Sequence, residues 1–280
     1  MRPVQVVQAV EQSVNVLNGW NFLNNWNARS ARNVYRLMPN PRILDAIEKS
    51  WDGEAISGKR LLDLSCGGAH TARMLAARGA SVVATEYGRL CHLGAGILSV
   101  GGVDLNSPLP FKSSCFDGVN LTEVIEHIEN QAQLIREVAR VLKPDGVVVI
   151  STPNVLNVHS RVRFLFTGFL RGRVRPAHYT SPPGQAPNIY LLHFYELYYL
   201  FFHYGFEVRN LYKTRIKFAP VFFTMLFYPL MWLFSMEAVI RAEKDPVQRR
   251  YNWQILRWIF SSPLLLSDNI VVKARKKRGG

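Results

Sequence analysis

The chain has 280 residues, a formal charge of +14, and 48% hydrophobic against 19% charged residues. That balance supports a sizeable folded core and argues against an intrinsically disordered chain. Three cysteines (Cys66, Cys91 and Cys115) make no CxxC pair and no even-numbered framework, so a disulfide scaffold is not expected and a reducing, cytoplasmic compartment is. Gln5, Gln8, Glu11 and Gln12 interrupt every apolar run in the first twenty residues, so no cleaved secretory signal is expected either.

The charge is unevenly placed. Residues 1–58 hold 6 basic and 5 acidic side chains, residues 59–152 hold 9 and 9, and residues 153–280 hold 19 and 6, net +13. A neutral core with a basic C-terminal part points to an anionic partner: a phospholipid surface, a phosphorylated substrate or nucleic acid. The tail Lys273–Arg278 supplies five of the charges and reads as a solvated tail, whereas the run from Arg161 to Lys217, with nine basic and two acidic residues, asks for a partner.

In chain order, residues 1–58 read as helical, with Trp20, Phe22, Trp26 and Tyr35 among Asn and Arg, a break at Pro39 and Pro41, and a helix over Ile43–Trp51. Arg60–Cys66 is a buried strand, Thr71–Arg78 a helix closed by Gly79, and Ser81–Thr85 a second strand. Val100–Val103 reads as a short third strand and Asp117–Leu121 as a fourth. Glu123–Leu142 has the spacing of one long helix, stopped at Lys143-Pro144-Asp145-Gly146, and Val147–Ser151 is a fifth strand. Strands separated by helices imply a parallel sheet covered on both faces. Residues 154–190, rich in Arg, Pro and aromatics, read as a cap; Leu191–Tyr204 is a helix, and Phe206–Tyr212 and Asn269–Ala274 are strands. The expected division is an N-terminal helical segment (1–58), a core (59–154), and a part carrying the cap, the apolar segment and the last strands (155–280).

Leu61-Leu62-Asp63-Leu64-Ser65-Cys66-Gly67-Gly68-Ala69-His70 follows a strand and opens a helix, so small residues let a ligand approach backbone at a helix N-terminus. Glu86 ends the next strand, 23 residues after Asp63, where a carboxylate can accept both ribose hydroxyls of an adenosine-containing cofactor. Dinucleotides and S-adenosylmethionine (SAM) share this geometry, and the loop alone does not choose between them.

Residues further along the chain make the choice: Leu109-Pro110-Phe111 and Phe116-Asp117-Gly118-Val119, then Glu123-Val124-Ile125-Glu126-His127, then Arg140-Val141-Leu142-Lys143-Pro144-Asp145-Gly146, then Ser151-Thr152-Pro153-Asn154. As a set these resemble the class I SAM-dependent methyltransferases, in particular the group that includes ubiquinone-type O-methyltransferases. The resemblance implies an α/β, Rossmann-like seven-stranded sheet with helices on both faces, the last strand antiparallel, and SAM at the strand C-terminal ends. By position it implies Asp63, Ser65 and Gly67 near the methionine part, Glu86 on the ribose, Tyr87 and Asp104 bordering the adenine, and Leu121 and Thr122 on the methionine side. The family's loop usually reads Asp-x-Gly-x-Gly-x-Gly; Ser65 and Ala69 replace its first and third glycines, and neither favours positive φ.

Glu123, Glu126 and His127 lie at i, i+3 and i+4, one face if helical. Two carboxylates and an imidazole there can bind a divalent cation, although carboxylates in a first helical turn also simply suit the macrodipole. The small-RNA 3′-end 2′-O-methyltransferases carry a similar Glu-x-x-Glu-His with a further His, and some metal-requiring ubiquinone-type enzymes carry a similar Glu-x-x-Glu-His. The resemblance implies a Mg²⁺ or Mn²⁺ set of Glu123, Glu126, His127 and His193. Methyl transfer to an alcohol needs its proton removed, so Glu123, His127 and His193 are the candidate catalytic residues, with a histidine as general base where no metal acts. His70, His92, His159, His178 and His203 read as surface or packing residues.

Phe218–Met236 is uncharged, flanked by Arg215 and Lys217 on one side and Arg241 and Lys244 on the other, though Pro220 and Pro229 argue against a regular spanning helix. An interfacial bilayer element, a lid over a greasy substrate and a buried helical pair all fit it. The Arg161–Arg175 cluster suits phosphate groups of a lipid-linked substrate. The expected function is methyl transfer from SAM to a hydroxyl-bearing acceptor, a lipid-linked or cell-surface glycan or a prenylated quinol, at the inner face of an anionic membrane. RNA 2′-O-methylation and a non-catalytic subunit with a degenerate SAM site are the alternatives.

Overall fold

A computed structural model describes residues 40–88, 93–170 and 190–278. The expectations that rest on Trp20, Phe22, Trp26, Tyr35, Cys91, His92, Arg171, Arg173, Arg175 and His178 lie outside the described residues.

Seven strands form one sheet: β1 (Arg60–Leu64), β2 (Ser81–Thr85), β3 (Ile97–Val100), β4 (Phe116–Thr122), β5 (Leu142–Pro153), β6 (Phe206–Lys213) and β7 (Asn269–Lys276), in the order β3-β2-β1-β4-β5-β7-β6. β1 to β5 are parallel, and β7 runs antiparallel to both β5 and β6. The last strand is therefore the reversed one, as expected, and β6 points the same way as β5.

The period-2 alternation of each strand builds two cores. Leu62, Leu64, Val83, Val148, Ile150 and Val272 join one apolar cluster, while Leu61, Val82, Ala84, Val147, Val149 and Val271 join the other. α1 (Pro41–Trp51) and α2 (His70–Ala77) cover the second face; α3 (Gln131–Val141) and α5 (Phe194–His203) cover the first. α1 starts where Asn40 Oδ1 accepts from Arg42 N, with Pro41 in the first turn, where a missing N–H costs nothing.

Three expectations change. The third strand is Ile97–Val100, a few residues earlier than expected. The Glu123–Leu142 pattern is not one helix: Glu123 has φ +54°, a single 3₁₀ turn comes next at Ile125–His127, and α3 begins only after Asn130, whose side chain accepts from Gln133 N. Between Pro153 and the undescribed residues stands α4 (Val158–Thr167), capped by Asn157 and ended by Gly168 at φ +69°. α6 (Phe218–Ser235) is helical throughout, followed by a π-helical turn (Met236–Arg241), α7 (Pro246–Ile259) and the short α8 (Ser262–Leu266).

The basic C-terminal run is not a loose tail. Lys273 and Arg275 lie in β7 and both pair with Glu54, at 2.9 and 2.6 Å. Burial pushes the Glu54 carboxyl up, but the two cations outweigh it and hold the group below the usual carboxylate range. Lys276 donates to the carbonyls of Ala139 and Leu142, and Arg278 pairs with Asp145.

Trp51, on α1, lies over β4. A Cβ at Gly118 would meet the Trp51 ring at 2.6 Å and Leu61 Cδ2 at 2.8 Å, and Trp51 is fully buried. Gly118→Ala is therefore expected to destabilise the fold by about 1–3 kcal/mol, measured by urea unfolding. An unchanged midpoint shows that α1 moves aside without cost.

Candidate active site

The carboxyl ends of β1, β2 and β4 converge on one short loop. β1 ends at Leu64, and the chain then turns through Ser65, Gly67 and Ala69, at φ +50°, +51° and +55°, into α2. Ser65 and Ala69 occupy the left-handed region despite their side chains. The frame around the loop imposes that shape: Cys66 N donates to Thr85 O, Ala69 N to Cys66 O, and Ser65 N to Thr85 Oγ1. A Cβ at Gly67 would meet nothing within 4 Å, so the backbone there faces open space.

Glu86, directly after β2, turns its carboxylate onto this loop. It accepts from Ser65 Oγ at 3.3 Å, from Gly67 N at 2.9 Å and from Tyr87 N at 3.1 Å. Tyr87 is exposed beside it, and Val103 N donates to Glu86 O, which brings the Asp104 turn alongside. Asp104 itself closes that turn, accepting from Asn106 N and Ser107 Oγ. Asp63, Ser65, Gly67, Glu86, Tyr87 and Asp104 thus lie at one rim.

Asp63 is buried under the loop. Its Oδ1 accepts from Asn120 Nδ2 at 2.8 Å, and the same amide reaches Thr122 Oγ1 at 3.0 Å. Thr122 in turn shares a hydroxyl contact with Thr71 of α2, while Leu121 is fully buried. Burial pushes the Asp63 carboxyl up to about 7, with the Glu86 charge adding to it and the Asn120 amide opposing it. Among the described residues, Asp63 Oδ2 and Asn120 Oδ1 are buried without a hydrogen-bond partner. Open backbone at Gly67, a carboxylate gathered on it and two unsatisfied acceptors beside it fit a ligand that brings hydroxyl and ammonium donors, as SAM does.

The expected metal ligands do not fit a cation. Because Glu123 sits at positive φ and the chain then makes a 3₁₀ turn, the i, i+3, i+4 spacing never becomes one helical face. The Glu123 carboxylate is already engaged, accepting from Ser151 Oγ at 2.9 Å and from Asn269 Nδ2 at 2.6 Å. Glu126 points inward at 1% exposure, accepting from Thr152 Oγ1; burial first, and the nearby Glu123 charge second, raise its pKa well above the ordinary value. His127 is exposed at the surface, and partial desolvation lowers its pKa. His193 caps α5, its backbone N donating to Glu196 Oε2 at 2.7 Å. Its stretch of chain does run beside the turn, since Tyr190 N donates to Glu126 O. Among the described residues no group of three or more His, Cys, Asp or Glu side chains is arranged to hold a metal ion.

Sequence reasoning misses Ser151, Thr152 and Asn269 as site residues, although they hold the two glutamates. Ser151 and Thr152 stand in the Ser-Thr-Pro-Asn string; Asn269 becomes visible only once β7 is seen to pair with the end of β5, Pro153 opposite Asn269.

The loop geometry makes two expectations measurable. Ala69→Gly removes a side chain from the left-handed region and is expected to stabilise the protein by about 1 kcal/mol, seen as a higher Tm. A lower Tm means the methyl group's burial outweighs the strain. The raised Asp63 pKa means that the folded chain holds a proton the unfolded chain has lost between roughly pH 4 and pH 7, so this group's contribution falls as pH rises through that window. Asp63→Asn cannot ionise, so its unfolding free energy relative to the parent should climb from about pH 5 to about pH 8, by up to a few kcal/mol at roughly 1.4 kcal/mol per pKa unit, read by urea unfolding at each pH. A gap that stays constant across that range removes the assignment.

Comparison with known proteins agrees with this arrangement. The model of a methyltransferase domain matches residues 32–211. The ubiquinone biosynthesis O-methyltransferase of Neisseria meningitidis serogroup A is 34% identical over 126 residues, covering 41% of this chain and 51% of that protein. The protein of the same description from Pseudomonas aeruginosa is 31% identical over 124 residues, covering 40% and 52%. The chain therefore spans about half the length of the curated relatives it matches. Among solved structures, a Burkholderia thailandensis 1,6-didemethyltoxoflavin-N1-methyltransferase with bound S-adenosylhomocysteine superposes with TM-score 0.53 at 12% identity, over 99% of this chain and 92% of that one. A SAM-dependent methyltransferase from Archaeoglobus fulgidus gives TM-score 0.51 at 14% identity, over 89% and 100%. With the sheet order and the Glu86-centred loop already in place, the match across well over half its length shows that the chain belongs to the class I SAM-dependent methyltransferase family.

Proposed function

We propose that the protein is a SAM-dependent O-methyltransferase whose acceptor is a hydroxyl on a membrane-associated molecule, a lipid-linked or cell-surface glycan or a prenylated quinol, at the cytoplasmic face of a membrane. The observation that carries methyl transfer is the Glu86 carboxylate held over the open backbone at Gly67. The relatives' description as O-methyltransferases supports oxygen as the methylated atom. The uncharged α6 and the basic excess in residues 153–280 support the membrane.

Bound SAM supplies an electrophilic methyl on a sulfonium. The rest falls to the chain. Glu86 accepts the ribose hydroxyls in place of the Ser65 and Gly67 donors it now holds, and Gly67 leaves room for that approach. Tyr87 and Asp104 flank the adenine, while Asp63, Leu121 and Thr122 face the methionine side. At the neighbouring carboxyl ends of β4 and β5, Ser151 and Asn269 hold the Glu123 carboxyl group in place on the acceptor side. A hydroxyl with a pKa near that of water, about 15.7, needs a proton acceptor. We assign that role to His127, exposed just beyond the end of β4, with His193 the second candidate. No metal step is part of this scheme. Residues 155–235 choose the acceptor.

The degenerate-site reading weakens because the loop reaches its left-handed shape without the family's first and third glycines. The RNA reading loses one of its two supports with the metal set, whose ligands diverge, and keeps the basic C-terminal part.

Isothermal titration with SAM tests the assignment. Binding in the micromolar to millimolar range is expected for the parent, reduced at least about tenfold in Glu86→Ala, whose lost hydrogen bonds are worth about 1.5–3 kcal/mol each when charged. Absent heat and absent thermal shift at millimolar SAM support a non-catalytic scaffold instead.

A further inference from the structure

α6 has an unusual surface. Its 18 residues, Phe218–Ser235, carry no charge, and at 1.5 Å per residue it is about 27 Å long. A few ring contacts tie it to the domain: Phe223 lies near His159, Tyr228 and Trp232 pack on Phe260, and Trp232 meets Trp253 of α7. Among the described residues little else covers it, and Pro220 is its one buried residue. Phe218, Phe222, Met225, Leu226, Leu230 and Leu233 recur at the spacing of one helical face, and their exposure reaches 82% at Phe218 and 78% at Met225. α4 lies against α6 and adds Leu165 and Phe166, 76% and 78% exposed, with Phe164 beside them. A helix of a water-soluble domain is polar on its outer side; this one is apolar where it faces outward.

We propose that α4 and α6 form a monotopic seat on an anionic phospholipid bilayer, inserted side-on at the edge of the sheet that holds the cofactor loop. Phe218–Arg241 is long and apolar enough by composition to cross a bilayer, but its ring contacts and its root, which tie it to the domain, favour the side-on placement. Lys217 pairs with Asp268 at 2.8 Å, Asp268 N donates to Arg215 O, and Ile216 bridges to Ser267. Charge selects the occupant. Exposed Arg163, Arg215 and Lys244 stand at the margins of the apolar face, where they meet lipid phosphates, while Arg241 beside them pairs with Glu237 at 2.8 Å. A second copy of this chain, at +14, would bring like charges together around the same face.

The topology sets the orientation. α4 starts just beyond the carboxyl end of β5 and α6 just beyond that of β6, and these strands run parallel because both are antiparallel to β7. The carboxyl ends of β1 and β2, which carry Asp63 and lead to Glu86, lie at the same edge. The seat therefore turns the acceptor side of the site toward the lipid. This inference rests on the proposed methyl transfer for its purpose, not for its geometry.

The full chain is mixed with phosphatidylcholine vesicles, with or without about one third phosphatidylglycerol, and sedimented. Co-sedimentation with the phosphatidylglycerol vesicles, weaker at high salt, is expected, and Met225→Glu with Leu233→Glu should lower the bound fraction about tenfold. Both positions are exposed, so the fold should survive, and an unchanged SAM titration and circular-dichroism spectrum check that it does. A parent protein that stays in the supernatant with every vesicle overturns the seat, as does a double variant that sediments as well as the parent. A parent that is a dimer in analytical ultracentrifugation and becomes monomeric in the double variant also overturns it, in favour of a second copy. SAM binding without vesicle binding sinks the seat alone; vesicle binding without SAM binding sinks methyl transfer alone.

Discussion

A single carboxylate organises the site. Glu86 sits one residue beyond β2, and its two oxygens collect a hydroxyl and a backbone N–H from the loop after β1, together with the N–H of Tyr87. Parallel pairing of β1 with β2 is what makes this possible, because it brings Asp63 opposite Ala84 and so sets the two strand ends side by side. A charged acceptor in partly dry surroundings binds such donors more strongly than a neutral one. In the proposed function the same atoms meet the ribose, and the loop is already held open there. Preorganisation of this kind means the ligand exchanges partners with Glu86 instead of building a site from a floppy turn.

Much of this is legible in the residues. β1, β2, β4, β5 and β7 are rich in apolar residues buried on both faces, and such runs announce themselves. β3 is displaced from its expected place because Ile97-Leu98-Ser99-Val100 is an edge strand, mostly half-exposed, with glycines on both sides that blur its limits. Glu-x-x-Glu-His misleads for a different reason. Its spacing is helical, but nothing in spacing reveals that Glu123 takes a left-handed backbone or that Ser151 and Asn269 will claim its carboxylate from strands 28 and 146 residues away. Long-range partners of that kind are invisible until the sheet order is known. α4 hides behind its Arg-rich, aromatic composition, although Asn157 and Gly168 mark its two ends.

The prolines of α6 show how local rules bend. Pro220 is the third residue of the helix, where backbone N–H groups lack intrahelical partners anyway, so it is tolerated. Pro229 does remove one hydrogen bond from the interior. The aromatic packing of Tyr228 and Trp232 on Phe260, one on each side of it in sequence, holds the helix together across the gap. The loop before α2 obeys the same logic: Ser65 and Ala69 accept a costly backbone because neighbouring strands dictate it.

Asp268 and Asn269 are adjacent, yet they serve opposite ends of the molecule's chemistry. Asp268 grips Lys217 at the foot of α6, and Asn269 grips Glu123 just beyond the end of β4. One peptide bond joins the two grips. The foot of α6 and the Glu123 carboxyl group therefore hang from the same strand start.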